Sequence, residues 1–302
     1  GTFNQTGGSH SVANILAIGQ ETNSDGAYNL VDGQLNTNYS IVGFYGGGVL
    51  QQSGGSHTVA NDLILGQETV SSGAYILADG QLYTNNTIVG FYGGGTFQQY
   101  SGTQTVANNL VIGSESSTIG YYNMAGGNLN TANSYVGHSG SGTFYQTAGT
   151  HTVTNELNVG YQAGGVGTYT LINGAITTPL LFAGYYGTGT MHQNGGEVTI
   201  TDHLGVGREN GSIGSYNLNA GNFTTQDLYV GWAGQGSFNM NGGVCTVNGS
   251  IYLATDSSGT GRGTFNLASG SLAAMHLDVG LYGIGEFNQA SGTTLTIGDA
   301  AS

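Results

Sequence analysis

A 47-residue repeat runs through the whole chain and constrains its fold more than any other feature. Each repeat holds a long unit of 25 residues and a short unit of 22, and only the last two odd-numbered units depart from these lengths. Repeats of this size are typical of stacked supersecondary units rather than of a globular core. We expect one solenoid domain over residues 1–302. Its units begin at Gly1, Gly26, Gly48, Gly73, Gly95, Gly120, Gly142, Gly167, Gly189, Gly214, Gly236, Gly263 and Gly285.

The pattern inside one unit predicts three short β-strands joined by glycine-rich corners. In the first unit these strands cover residues 2–5, 10–12 and 15–19. Apolar residues recur at the positions of Val12 and Leu16 in every long unit that is complete. The outward position next to Val12 holds Ser or Thr in each of these units, as in half-buried strands. The sequence therefore predicts an all-β, single-stranded β-solenoid of about 13 coils. With ~4.8 Å between coils, its length would be roughly 60 Å.

The third residue of each unit is aromatic in all units but two. We interpret this column as core packing, because aromatic rings at the spacing of neighbouring strands stabilise a sheet. Its members are Phe3, Tyr28, Leu50, Tyr75, Phe97, Tyr122, Phe144, Tyr169, Met191, Tyr216, Phe238, Phe265 and Phe287.

The charge of the chain excludes several classes of partner. Arg208 and Arg262 are the only two Lys or Arg residues, and 16 carboxylates give a net charge of −14. Nucleic acid is a poor partner for such a chain, and an anionic membrane surface repels it. No run of 18 apolar residues is present, so we expect no membrane insertion. Cys245 is the only cysteine, which rules out an internal disulfide.

Polar residues also recur at inward positions of the long units. His10, His57 and His151 share one column, but two coils separate successive members by ~9.6 Å, too far to share a metal ion. We expect neutral histidines bonded to backbone, and glutamines bonded to the backbone of turns. The glutamine column contains Gln5, Gln52, Gln99, Gln146, Gln193 and Gln289.

No residue pattern indicates an enzyme or a cofactor. A β-helical polysaccharide lyase needs a basic residue as base and cationic clamps, and a hydrolase of this shape needs converging carboxylates. Glu21, Glu68 and Glu115 form a corner column, again two coils apart. We interpret this column as a solvated edge first and as a weak calcium site second, because Ca²⁺ requires six to eight oxygens.

Aromatic residues recur at the corner of the short units, at Phe44, Phe91, Tyr185 and Trp232. Two interpretations stay open for them. Such rings can contact a glycan or a neighbouring molecule, or they can fold over their own coil.

Two stretches carry a resemblance to known families. They are Gly167–Gly174 followed by Phe182–Gly184, and Gly214–Gly221 followed by Leu228–Gly231. These units resemble the repeats of secreted bacterial autotransporter passengers. They are even more similar to repeats shared with exopolysaccharide-associated proteins that carry a PEP-CTERM sorting signal. The resemblance covers all 13 units and implies a bacterial β-solenoid that is extracellular, at the cell surface or in a matrix.

These observations leave three hypotheses for the function. The first is a structural extracellular protein that polymerises head to tail into a filament or matrix fibre. In this case the partner of each copy is another copy of the same chain. The second is an adhesin-like stalk that binds polysaccharide or another surface, and the third is an ice- or mineral-binding solenoid. For the first, we place the contacts at Gly1, Thr2 and Phe3 of one copy and at Phe287, Gly298 and Ser302 of the next. Gly298 would open the corner that completes the last coil, so that Gly1 of a second copy continues it.

Overall fold

The chain is all-β and forms a β-solenoid of 13 stacked coils with two strands in each coil. The computed structural model describes residues 1–298. The first strands of the coils, β1, β3 and so on to β25, are Thr2–Gln5, Asp25–Leu30, Gly47–Gln52, Ser72–Leu77, Gly94–Gln99, Ile119–Met124, Ser141–Gln146, Val166–Leu171, Thr188–Gln193, Ile213–Leu218, Gln235–Met240, Arg262–Leu267 and Ile284–Gln289. The second strands, β2, β4 and so on to β26, are Ser9–Ile18, Gln34–Val42, Ser56–Leu65, Gln81–Val89, Thr103–Ile112, Asn128–Val136, Thr150–Val159, Ala175–Ala183, Glu197–Val206, Asn222–Val230, Val244–Leu253, Ser271–Val279 and Thr294–Ile297.

The predicted number of strands in a coil, three, is wrong. The predicted strands over 10–12 and 15–19 are the two halves of one strand, β2, which ends at Ile18 and pairs with β4 along its whole length. The register shifts between Val12 and Ile15, because the long coil has one residue more than the short coil at this point. A β-bulge absorbs one extra residue without ending the ladder, so the bend that glycines and asparagines suggest is a bulge.

The residue contacts divide the chain into two compact units, Gly1–Thr154 and Asn155–Ser302. In unit 1, the first strands β1 to β13 form a parallel ladder within the unit, with Tyr75 opposite Phe97 and Tyr122 opposite Phe144. Unit 2 repeats this arrangement from β15 to β25, with Phe238 opposite Phe265. In both units, equivalent residues of successive coils therefore lie directly beside each other.

Glycines mark most corners because the backbone there has a positive φ and lies close to the next coil, and Ala254 is the exception at the end of β22. Gly43 ends a second strand with φ of 74°, and a Cβ atom on it would lie 2.3 Å from the carbonyl oxygen of Ser72. Gly73, at the start of its coil, would place a Cβ 2.0 Å from the carbonyl oxygen of Val42. At Gly43 and Gly73, neighbouring coils approach so closely that a Cβ atom would clash with the backbone of the next coil.

The core lies between the two sheets, and the predicted inward positions are confirmed. Val106 and Leu110 are almost completely buried, whereas Thr105, one residue away, is partly exposed. The aromatic column is exposed at its two ends: 50% of the Phe3 surface is exposed and Phe287 is partly exposed, because a coil of the described chain covers each of them on one side only. None of the described residues forms a helix that is long and apolar enough to cross a membrane.

Adjacent side chains of β10 point to opposite faces of the sheet, which predicts a large difference in stability between two adjacent substitutions. Val106→Asp places an unpaired carboxylate in the core and should lower the free energy of unfolding by several kcal/mol, about 3 or more. Thr105→Asp adds the same charge to the outer face and should cost less than about 1 kcal/mol. Urea denaturation followed by circular dichroism measures both, and equal losses would contradict the assigned facing.

Candidate functional site

A buried polar network links successive coils in unit 1. The hydroxyl of Tyr75 donates to Oε1 of Gln52 at 2.6 Å, and Nε2 of Gln52 donates to the carbonyl oxygens of Gly55 and Gln81 at 3.2 and 3.0 Å. Nδ1 of His57 lies 3.1 Å from the same Tyr75 hydroxyl. The glutamine thus joins its own turn to the turn of the next coil, which confirms the prediction of glutamine–backbone bonds.

The partners of His57 are hydroxyl groups where the prediction expected backbone groups, so this part of the prediction is wrong. Because the Tyr75 hydroxyl gives its one proton to Gln52, Nδ1 of His57 must be the donor in their contact. Nε2 is then free to accept a hydrogen bond from the hydroxyl of Ser40 at 3.1 Å. His151 makes the equivalent contact with Ser134 at 3.1 Å.

Burial keeps these two histidines neutral. His57 and His151 have no exposed surface, and desolvation lowers the pKa of each from 6.5 to about 3. Gln104 occupies the same column in another long coil, with Oε1 2.6 Å from the Tyr122 hydroxyl and Nε2 donating to Thr87 at 3.1 Å. An uncharged amide therefore fills the same place in the network.

These pKa values predict a stability loss in acid. Between pH 6.5 and about 3 the unfolded chain binds protons at His57 and His151 that the folded chain does not, so the free energy of unfolding falls as the pH falls. We expect a loss of roughly 1 kcal/mol per pH unit for each histidine. The double variant His57→Gln/His151→Gln should lose less stability than the wild type between pH 6.5 and 4.5 in urea titrations. An identical loss in both proteins would contradict the burial of neutral histidines.

The corner column of glutamates does not assemble a metal site. The backbone carbonyl oxygens of Glu21, Glu68 and Glu115 accept bonds from Ser or Thr side chains three residues later, at 2.7 Å in each case. Within residues 1–298, no three His, Cys, Asp or Glu side chains come close enough together to hold a metal ion. Cys245 is buried, and burial raises the pKa of its thiol, so it packs as a small apolar residue.

The most distinctive surface feature is a corner cluster in unit 2, which we call the Arg208 cluster. It consists of Phe182, Tyr185, Arg208, Tyr229 and Trp232. The guanidinium carbon of Arg208 lies 4.2 Å from the ring centre of Tyr185, 4.9 Å from that of Phe182 and 5.6 Å from that of Trp232. The Trp232 ring stacks on Tyr229 with 4.4 Å between centres. A cation and four rings are therefore packed together at the surface.

The backbone around the Arg208 cluster explains how it is held. Arg208 N–H donates to the Gly184 carbonyl oxygen, and Ala233 N–H donates to the Arg208 carbonyl oxygen, each at 2.9 Å. Gly205 lies opposite Phe182 in the sheet, and a Cβ atom on it would lie 2.7 Å from the Phe182 ring. The glycine makes room for this ring beneath the guanidinium.

Unit 1 has a simpler corner at the equivalent positions. Phe44 and Phe91 are half-buried and each contacts the exposed tyrosine that follows it, with 4.9 and 4.5 Å between ring centres. Gln67 lies between them in sequence, where unit 2 has Arg208. The sequence prediction found the aromatic residues, Tyr185 and Trp232 among them, but missed Arg208. The available signal was its position directly after the corner glycine, in the coil between those of Tyr185 and Trp232.

The end of the last described coil corrects one further prediction. Ile297 pairs with Ala274, and Gly298 N–H donates to the Ala274 carbonyl oxygen at 3.0 Å. Ile297 therefore corresponds to Val12, and Gly298 lies at the bulge and not at a corner. The prediction that a corner from Gly298 to Ser302 completes the last coil and leads into Gly1 of a second copy is therefore wrong at Gly298. Ser302 lies outside the described residues.

No protein-family model, curated protein sequence or solved structure matches this chain.

Proposed function

We propose that the protein is a structural extracellular β-solenoid of bacteria whose copies associate end to end into a filament or matrix fibre. The observation that supports this most is the link between coils. Ring stacking, Tyr–Gln bonds and parallel pairing join each coil to the next, and the same groups recur in coil after coil. A stack built in this way has two unpaired edges wherever it ends, and each edge can pair with another copy.

The two edges within the described residues are complementary. The carbonyl oxygens of Gly1 and Gln5 accept bonds from the second coil, so the N–H groups of Thr2 and Asn4 face the open edge of β1. In β25, Ile284 and Ala290 donate to the preceding coils, which leaves the carbonyl group of Phe287 at the opposite edge. If the β25 edge of one copy pairs in parallel with the β1 edge of another, donors meet acceptors and the stack continues. Such a contact is heterologous and does not close into a ring, so it can propagate a filament.

Two other functions are weaker candidates. An adhesin-like stalk is favoured by the Arg208 cluster alone, which is a surface feature of one unit. An ice- or mineral-binding face would need a regular threonine column, but in unit 1 Asn36, Tyr83 and Asn130 interrupt the outward column of β2 to β12.

The edge of β1 gives a matched pair of variants that test association. Asn4→Pro removes an N–H group that makes no bond inside the chain, whereas Asn4→Ala retains it. We expect the wild type and Asn4→Ala to form filaments as the concentration rises, and Asn4→Pro to stay monomeric at the same concentrations. Light scattering and negative-stain electron microscopy provide the readouts, with thermal unfolding as the check that each variant is folded. A wild type that stays monomeric at millimolar concentration would overturn the proposal.

A further inference from the structure

We propose that Tyr185, Arg208 and Trp232 form a binding site for a neutral, hexose-based glycan chain that runs along the stacking direction of the coils. This site goes beyond the structural role, because it needs neither the edges of the stack nor a second copy. Three properties of the Arg208 cluster support the proposal. They are the distance between its rings, the hydrogen-bond donors of Arg208 that have no acceptor, and the charges around it.

The spacing of the cluster fits a chain of linked hexoses. Tyr185, Arg208 and Trp232 occupy the same corner in three successive coils, which backbone hydrogen bonds hold together. The two rings are two coils apart, or ~9.6 Å along the stack. This distance is close to the length of a disaccharide in an extended glycan, so both rings can contact alternate sugars of one chain.

Arg208 has hydrogen-bond donors that the protein does not use. Its side chain is 27% exposed, and its Nε lies 3.8 Å from the Glu209 carboxylate, beyond hydrogen-bond distance. Within the described part of the chain, its guanidinium contacts only that carboxylate and the faces of three rings. A planar group with five N–H donors, held against aromatic rings, suits the hydroxyl and ring oxygens of a sugar.

The charges around the cluster favour a neutral glycan over an acidic one. The Asp202 side chain is 62% exposed and the Glu209 side chain 36% exposed, and both carboxylates can accept bonds from sugar hydroxyls. The same carboxylates, with the net charge of −14, repel a chain of uronic acids. One arginine does not offset this repulsion along a polyanion.

The corner does not need this composition in order to fold. In unit 1, Gln67 and Phe91 occupy the positions that Arg208 and Trp232 occupy in unit 2, and His138 occupies the same corner two coils after Phe91. Backbone bonds from one coil to the next hold these residues as well. His203 adds a second polar group without a partner to the cluster, since its buried Nε2 has no hydrogen-bond partner within residues 1–298. Its ring lies edge-on to Phe182 and Trp232 at 5.5 and 5.9 Å.

The single tryptophan makes binding directly measurable, because all tryptophan fluorescence of the chain comes from Trp232. The probes are hexasaccharides of β-1,3-glucan, β-1,4-glucan, α-1,4-glucan and β-1,4-mannan, with hexagalacturonate as the acidic counterpart. We expect saturable changes in emission with at least one neutral hexasaccharide and none with the acidic one. No change with any neutral probe up to millimolar concentration would overturn the proposal, as would binding of hexagalacturonate alone.

Variants that copy unit 1 locate the site without disturbing the fold. Trp232→His and Arg208→Gln place the residues of unit 1 into unit 2, and each should weaken binding about tenfold in isothermal titration calorimetry. Phe91→His makes the matched change in unit 1 and should leave the affinity unchanged. Equal weakening by Phe91→His, or full binding by both unit 2 variants, would overturn the assignment. Filament formation by the Trp232→His variant is expected to match the wild type, which separates this site from the proposed assembly.

Discussion

Parallel, in-register pairing of successive coils is the constraint on which the rest of the structure depends. It places each residue ~4.8 Å from its counterpart in the next coil, so every position becomes a column. A column is stable only if its members pack or bond with one another. Rings do so by stacking, as Tyr75, Phe97, Tyr122 and Phe144 show with centres 4.6 to 5.1 Å apart. On the outer face of unit 2, asparagine amides do so by hydrogen bonds of 2.8 to 3.0 Å between Asn217, Asn239, Asn266 and Asn288.

The alternation of long and short coils lets polar groups enter this core. A glutamine of a long coil faces a leucine or methionine of the short coil, so the glutamines of this column do not compete with one another for the same partners. The Tyr75 hydroxyl, which comes from the short coil, binds Gln52 of the long coil before it. The histidine column follows the same rule, because His57 meets Tyr75 above and Ser40 below. The 47-residue period thus lets a long coil and the next short coil supply hydrogen-bond partners to each other, as Gln52, His57 and Tyr75 do.

The sequence predicts much of this architecture because columns repeat. Coil boundaries, inward residues such as Val106 and the role of the glutamines can all be read from recurrence at fixed positions. Recurrence does not show whether a bend ends a strand, and the bulge between Val12 and Ile15 was therefore predicted as a gap between two strands. It also does not identify partners in other columns, which is why the hydroxyl partners of the histidines were missed. The last described coil was misaligned for a related reason: Gly298 looks like a corner glycine, and only its pairing beside Ala274 shows that it lies at the bulge.

Side chains at the corners do not have to pack or bond with their counterparts in the next coil. This explains why the Arg208 cluster could arise there. Backbone bonds from one coil to the next hold the corner, as Arg208 N–H to Gly184 illustrates, so the side chains need not match their neighbours. Equivalent corner positions of the short coils accordingly hold phenylalanine, histidine, tyrosine, tryptophan or leucine. A change at a corner alters the surface of one coil and leaves the ladder intact. A repeat protein of this kind can therefore acquire a local binding surface in one unit while its core continues to serve stacking alone.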